Sequence, residues 1–202
     1  QDGSGIQAVV RIENRESSGF VSFDQRPTNG GRSAMTRQNG RMVANAFVLR
    51  GAKLVFADSR KDHPGIDEAS IEALITSNTK AIIPVHLYGM PAKMDEIISV
   101  AKEFNVPVIE DAAEALGSNI NNKPCGSYGE FGVLSFNGNK IITTSGGGAL
   151  LSNNAEMIEK ARFLATQARD AAPHYQHSHI GYNYRMPNLN AALACAQLEQ
   201  LN

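Results

Sequence analysis

The sequence contains no tryptophan, only two cysteines and no apolar run approaching the roughly 20 residues that a membrane-spanning helix needs. Cys125 and Cys195 lie far apart, which argues against a disulfide framework or a cysteine metal site and favours a reducing compartment. No basic segment followed by an apolar one opens the sequence, so we expect no secretion signal. Together these features predict a cytoplasmic protein that does not associate with a membrane.

A bias toward charge of one sign is also missing. The 202 residues carry a formal net charge of −1, so the composition favours neither nucleic acid nor an anionic membrane as a partner. Apolar residues make up 42% of the chain and charged residues 19%, which is typical of a soluble globular protein. A chain of this length can bury a substantial core.

Residues 1–43 differ in composition from the rest of the chain. They are rich in Arg, Gly, Ser and Asn and contain only two short apolar runs, residues 6–10 and 20–23. A basic, glycine-rich segment can bind nucleic acid, but without interleaved aromatic residues we favour a poorly ordered or foreign leader. The predicted division is therefore an atypical leader over 1–43 and a folded domain over 44–202.

From residue 44 onward, short apolar segments alternate with amphipathic segments of helical period. This alternation is typical of an α/β domain in which helices flank a mostly parallel sheet. The predicted strands are residues 53–58, 81–86, 106–109, 132–136 and 148–152. The predicted helices are residues 67–75, 91–104, 154–168 and 187–201. In the last helix we expect an inward stripe of Leu189, Ala192, Leu193, Ala196 and Leu201.

Parallel sheets bind ligands at the carboxyl ends of their strands, and the sequence has polar residues there. Glu110 and Asp111 end one predicted strand, and Lys140 follows the next, before three glycines at 146–148. A carboxylate and a lysine in these places suit pyridoxal phosphate. The carboxylate keeps the pyridine nitrogen protonated, and the lysine binds the cofactor covalently as a Schiff base.

Asp111 and Lys140 also have a purely structural interpretation, and the local sequence taken by itself favours that interpretation. Asp111 would be the N-cap of a helix over 112–116. Asn137-Gly138 between apolar runs is a strong hairpin signal. A hairpin there would pair residues 131–136 with 140–144 and make Lys140 an exposed strand residue.

Other polar residues are weaker candidates. His86 ends a predicted strand, where a hydrogen-bonded structural histidine is more common than a catalytic base. Ser135 could bind phosphate or be a plain buried serine, while Asn183 and Arg185 could bind an anion or pair with acidic neighbours. The histidines at 174, 177 and 179 lack further ligands at metal-binding spacing, so we expect no metal site.

Five segments in register resemble a single family. They are ANAFVLRGAKLVFAD, TKAIIPVHLYGMPAKMDEI, VPVIEDAAEALGS, GVLSFNGNKIITTSGGGALLSN and HIGYNYRMPNLNAALACAQLEQL. Over residues 44–201 the chain resembles the DegT/DnrJ/EryC1/StrS sugar aminotransferases, which are pyridoxal-phosphate enzymes of fold type I. The nearest branch is similar to the enzymes that aminate UDP-4-keto-6-deoxy-N-acetylhexosamines.

This resemblance implies roles for individual residues. Lys140 matches the lysine that binds the cofactor and later moves a proton between the cofactor and the sugar C4. Asp111 matches the partner of the pyridine nitrogen, Glu114 a residue near the ring hydroxyl, and Ser135 a phosphate-binding serine. Asn183 matches an asparagine that reaches the cofactor phosphate of a neighbouring subunit, which implies a homodimer with shared active sites.

The implied substrates are glutamate, as the amino donor, and a nucleotide-linked 4-keto-6-deoxy sugar destined for a cell-surface polysaccharide or glycan. His86, Tyr88 and Arg185 are the expected substrate-lining residues. A sister branch of the family catalyses dehydration and has histidine in place of the lysine. The presence of Lys140 therefore favours transamination.

Two features depart from the family pattern. Residues 1–43 contain neither the glycine- and Ser/Thr-containing turn that cradles the cofactor phosphate nor the aromatic residue that stacks on the ring. Family members also continue past the last helix into a small C-terminal domain, so the expected domain is an incomplete large domain. A truncated, non-catalytic relative that dimerises or binds a nucleotide sugar is thus the alternative.

Overall fold

The computed structural model describes residues 7–11, 46–48 and 50–201. The chain forms two compact units, Gln1–Val108 and Ile109–Asn202. Most of the predicted leader lies outside the described residues, but part of its first apolar run forms a strand.

In its described residues the first unit combines a three-stranded sheet with two longer helices and with short helical turns at residues 46–48 and Leu87–Gly89. The strands are β1 (Gln7–Arg11), β2 (Lys53–Ala57) and β3 (Thr79–Ile83), and the helices are α1 (Glu68–Leu74) and α2 (Met94–Glu103). β1 lies between β2 and β3 and runs antiparallel to both. Fully buried side chains from both helices and from β3, Ile71, Ile82, Met94 and Ile97 among them, form its core.

Helix α1 begins one residue after the predicted start, because the side chain of Asp67 caps it by accepting a hydrogen bond from the Ser70 amide at 3.2 Å. Helix α2 begins at Met94 rather than at the predicted Pro91. The intervening backbone has another partner, since the Ala92 amide donates to His86 Nδ1 at 3.0 Å. β3 ends at Ile83, immediately before Pro84, whose ring nitrogen cannot donate to a ladder.

The second unit contains a three-stranded sheet, a short hairpin and two helices. Its strands are β4 (Ile109–Asp111), β5 (Asn119–Ile120), β6 (Lys123–Pro124), β7 (Phe131–Ser135) and β8 (Gly148–Leu151), and its helices are α3 (Ala155–Ala165) and α4 (Asn188–Leu198). The sheet order is β4-β7-β8, with β4 parallel and β8 antiparallel to β7. The α/β class is confirmed, but the expected mostly parallel pairing is not seen among the described strands. The β2-β1-β3 sheet and the β5-β6 hairpin are antiparallel, and only the β4-β7-β8 sheet contains a parallel pair.

Three local predictions for the second unit are wrong. β7 pairs with β8 rather than with residues 140–144, so Asn137-Gly138 does not close a hairpin. Residues 112–116 form turns, not a helix. Helix α4 does not bury the predicted stripe, since Leu189 is 82% exposed and only Ala194 is buried. None of the helices that the structure describes is long and apolar enough to cross a membrane.

Candidate active site

The edge of the second sheet is defined by the ends of two parallel strands. β4 ends at Asp111 and β7 ends at Ser135. Asp111 is opposite Val133 in the ladder, so the two strands deliver their polar residues to the same edge. This arrangement follows from the parallel pairing, because parallel strands bring their carboxyl ends together.

Asp111 is buried at the end of β4. Its Oδ1 accepts a hydrogen bond from the Ala113 amide at 3.1 Å. The Ala112 amide donates to the carbonyl oxygen of Val133 at 3.0 Å, which continues the sheet one residue beyond β4. The side chain therefore orders a turn instead of capping a helix, and its carboxylate is held at the strand end.

Glu110 has a different environment from its neighbour. It is fully buried, and its carboxylate accepts hydrogen bonds from three backbone amides, those of Gly126 at 2.8 Å, Tyr128 at 2.5 Å and Gly129 at 2.7 Å. Burial and the charge of Glu110 raise the pKa of the nearby Cys125 thiol to about 11. Successive side chains of a strand point to opposite faces of the sheet. This rule would have allowed the sequence to assign different roles to Glu110 and Asp111.

Lys140 lies in the loop between β7 and β8. Its Nζ is 3.5 Å from Glu114 Oε1, and the two side chains are 17% and 30% exposed. A turn in which the Lys140 amide donates to the carbonyl oxygen of Asn137 at 3.0 Å precedes it. The structure thus brings together a lysine and a carboxylate that are 26 residues apart in sequence, and the amine is partly accessible to solvent.

Two side chains that the sequence analysis did not single out hold this loop. Gln197 exchanges two hydrogen bonds with the backbone of Thr143, and Asn190 Nδ2 donates to the carbonyl oxygen of Thr144 at 2.7 Å. Both come from α4. The available signal was the presence of three amide side chains, Asn188, Asn190 and Gln197, in a helix otherwise composed mainly of Ala and Leu.

The predicted phosphate ligands lie at separate places in the second unit. Ser135 is half-buried, and its Oγ accepts a hydrogen bond from the Asn137 amide at 3.4 Å. Asn183 and Arg185 are exposed in the segment before α4, where Asn183 forms a backbone bridge to Thr166. An exposed Asn183 is available for contact with another molecule.

His86 and Tyr88 belong to the first unit. His86 is fully buried, and its Nδ1 accepts the hydrogen bond from the Ala92 amide, as expected for a structural histidine. Tyr88 is 69% exposed and adopts a positive φ of 54°. Among the residues that the structure describes, no group of three or more His, Cys, Asp or Glu side chains is arranged to hold a metal ion.

The side chains at this edge fit pyridoxal phosphate chemically. Lys140 offers a partly exposed amine, Asp111 a buried carboxylate fixed by its turn, and Ser135 a hydroxyl at the end of the adjacent strand. These groups match an aldehyde, a basic ring nitrogen and a phosphate, respectively.

Comparison with known proteins identifies a family. Residues 41–202 match the model of the DegT/DnrJ/EryC1/StrS aminotransferase family. A putative pyridoxal phosphate-dependent aminotransferase, EpsN of Bacillus subtilis, is 53% identical over 166 residues, which cover 79% of this chain and 43% of EpsN. GDP-perosamine synthase of Caulobacter vibrioides is 45% identical, with 79% of this chain and 43% of that protein covered.

Solved structures give the same result for the fold. A DegT DnrJ EryC1 StrS aminotransferase from Brucella abortus matches with a TM-score of 0.74 and 31% identity, covering 80% of this chain and 45% of that one. Helicobacter pylori PseC, an aminotransferase involved in the biosynthesis of pseudoaminic acid, matches with a TM-score of 0.73 and 31% identity, covering 78% of this chain and 43% of that one. The chain spans less than half the length of these relatives.

Proposed function

Because the chain belongs to the DegT/DnrJ/EryC1/StrS aminotransferase family, we propose that it forms part of a pyridoxal-phosphate enzyme that aminates a nucleotide-linked sugar. The reaction moves the amino group of glutamate to C4 of a 4-keto-6-deoxy sugar and leaves 2-oxoglutarate. The observation that carries this proposal is the partly exposed amine of Lys140, 3.5 Å from Glu114, in the loop that follows the sheet edge where Asp111 ends β4.

When bound, pyridoxal phosphate supplies a reactive aldehyde and a ring that accepts electrons from the carbon being deprotonated. Asp111 holds the proton on the ring nitrogen, since a buried carboxylate stabilises a cationic partner. Lys140 Nζ would hold the cofactor covalently, and as a free amine it would take up and return the proton at the reacting carbon.

The remaining residues orient the cofactor. Glu114 Oε1 accepts a hydrogen bond from Lys140 Nζ and would hold the ring hydroxyl. The Ser135 hydroxyl would donate to the phosphate. Asn183, which is exposed, reaches the phosphate bound by a second copy of the chain, so that two copies share their active sites. Arg185, which is exposed in the same unit as Lys140, contacts the sugar nucleotide.

The most specific part of the proposal is which nucleotide, UDP or GDP, carries the sugar. The sequence favours a UDP-linked N-acetylhexosamine, whereas two of the relatives with above 40% identity are named GDP-perosamine synthases. A cytoplasmic enzyme that supplies amino sugars for a surface polysaccharide or glycan fits either nucleotide.

The proposal is tested with the purified full-length protein, pyridoxal phosphate and glutamate. UDP- and GDP-linked 4-keto-6-deoxy sugars are supplied separately, and mass spectrometry follows 2-oxoglutarate and the amino sugar. We expect equal amounts of both products with one nucleotide series, and none with Lys140→Ala. Binding of a nucleotide sugar without either product would contradict the proposal and favour the non-catalytic relative.

A further inference from the structure

The loop that carries Lys140 has no helix or strand of its own. It connects β7 to β8 and is closed by two backbone hydrogen bonds. The Thr144 amide donates to the carbonyl oxygen of Phe136 at 2.9 Å, and the Phe136 amide donates to that of Gly147 at 3.0 Å. Ile142 and Thr144 are buried, so the loop has a fixed inner side from which Lys140 extends.

Gln197 of α4 supplies the partner that a neighbouring strand would otherwise provide. Its Oε1 accepts a hydrogen bond from the Thr143 amide at 3.0 Å, and its Nε2 donates to the Thr143 carbonyl oxygen at 2.6 Å. One carboxamide thus satisfies both backbone groups of a residue 54 positions away in sequence. A planar amide can do this because it presents a donor and an acceptor side by side.

Asn190 extends the same contact by one residue of the loop. It lies two helical turns before Gln197 and therefore on the same face of α4. Its Nδ2 donates to the carbonyl oxygen of Thr144, next to the residue that Gln197 binds. We call these two side chains and the backbone of Thr143 and Thr144 the amide clamp.

The amide clamp also explains the burial pattern of α4. Leu189 and Leu193 are exposed, whereas Asn190 and Gln197 are half-buried. A helix that packed by apolar burial alone would show the reverse. This face of α4 therefore contacts the loop through side-chain hydrogen bonds.

We propose that Gln197 and Asn190 are positioning residues that fix the loop so that Lys140 Nζ stays beside Glu114. The importance of this positioning for catalysis rests on the proposed function of Lys140. The hydrogen bonds of the amide clamp form without the cofactor. Neither amide touches Lys140. Both act through the backbone three and four residues after it, and loss of either partner leaves loop backbone groups unpaired.

The test uses the full-length protein without cofactor. Acetic anhydride is added, and quantitative mass spectrometry gives the rate of acetylation of Lys140 relative to the exposed Lys160 in the same molecules. The variants are Gln197→Met, which keeps the side-chain length without hydrogen bonds, and Asn190→Leu. Gln200→Met is the matched control, since Gln200 is exposed just beyond α4.

Gln197→Met should raise the relative acetylation rate of Lys140 by roughly three- to tenfold for each of the two hydrogen bonds to Thr143 that it removes. Asn190→Leu should have a smaller effect in the same direction, and Gln200→Met should have none. Gln197→Glu, which keeps an acceptor for the Thr143 amide, should recover part of the parent behaviour. Glu114→Gln should also raise the rate, and adding Gln197→Met to it should give little further increase.

A lower melting temperature with unchanged Lys140 acetylation would overturn the proposal, because it would reduce the amide clamp to a stabilising contact. Strictly multiplicative effects of Gln197→Met and Glu114→Gln would overturn it too. If Gln197→Met does not fold, Asn190→Leu and Gln197→Glu decide the question alone. The proposed function fails separately, through absence of covalent cofactor in the parent protein, and that result leaves the acetylation rates unaffected.

Discussion

Replacing Glu110 with glutamine should strongly destabilise the second unit, although the side chain keeps its size. In the parent protein, Oε2 accepts the Gly126 amide, while Oε1 accepts the amides of Tyr128 and Gly129. Glutamine has only one acceptor oxygen. Whichever way the amide is oriented, its NH2 group faces at least one backbone N–H inside a fully buried site.

The expected cost follows from these contacts. A hydrogen bond to a charged group contributes about 1.5–3 kcal/mol, and a buried donor left unpaired costs about 1–3 kcal/mol. These two contributions describe partly the same lost contact and are therefore not added in full. We expect Glu110→Gln to lower the free energy of unfolding by about 2–4 kcal/mol. Urea denaturation of the full-length protein, followed by far-UV circular dichroism, should show a lower midpoint with an unchanged slope.

Glu130→Gln is the matched control, because Glu130 is an exposed glutamate directly after Gly129, in the loop whose amides donate to Glu110. It should change the free energy of unfolding by less than about 0.5 kcal/mol. Equal midpoints for Glu110→Gln and Glu130→Gln would refute the reasoning, since the three amides would then have adequate partners without the carboxylate.

Four further outcomes follow from the structure. Gly132→Ala would place a Cβ 2.0 Å from a backbone carbonyl oxygen and should cost about 1–3 kcal/mol in urea denaturation. Ellman's reagent should label exposed Cys195 but not buried Cys125 in the native protein, and both after denaturation. Since burial raises the pKa of Cys125 from 9.0 to about 11, unfolded chains lose that proton first and stability should fall as pH rises from 9 to 11. Asn154→Ala should cost about 1 kcal/mol of thermal stability, because Asn154 Oδ1 caps α3 by accepting from the Met157 amide.

Control variants of the same protein accompany these predictions. Gly138→Ala introduces a Cβ with no atom within 4 Å and should shift stability by less than about 1 kcal/mol. Asn153→Ala changes the exposed residue before the cap and should be nearly neutral. Cys125→Ala should remove that part of the pH dependence, and rapid labelling of Cys125 in native protein would show that it is not buried.

Much of the local structure could be predicted because its causes are local. Asp67 and Asn154 are short polar residues in front of amphipathic segments, and α1 and α3 begin directly after them. The predicted helix 91–104 is confirmed over Met94–Glu103, and its apolar residues Met94, Ile97 and Ala101, at helical spacing, are buried. Family membership is confirmed as well, and it was inferred from five segments rather than from any single residue.

The wrong predictions share a dependence on distant partners. Asn137-Gly138 resembles a hairpin turn, but β7 instead pairs with β8, which begins at Gly148. The apolar stripe predicted for α4 assumed burial against a core, whereas the helix binds the Lys140 loop through Asn190 and Gln197. No local pattern reveals which backbone groups a side chain will meet across 46 or 54 residues.

The candidate site was predictable only in part for the same reason. Strand-end placement pointed to Asp111 and Lys140, and Ser135 and Asn183 were open candidates for anion binding. The resemblance added Glu114 and gave each of these residues a role. The contact between Lys140 and Glu114 depends on how the loop folds back, which the sequence pattern did not determine. The separate structural role of Glu110 appeared only when its three amide partners were located.

The central claim is that Lys140 is the residue that binds pyridoxal phosphate covalently. The most direct measurement is to incubate the full-length protein with the cofactor, reduce it with borohydride, and map the modified peptide by mass spectrometry. The account predicts that the reduced cofactor is attached to Lys140 at close to one per chain, and that Lys140→Ala carries none. Attachment to another lysine, or none at saturating cofactor, would contradict it.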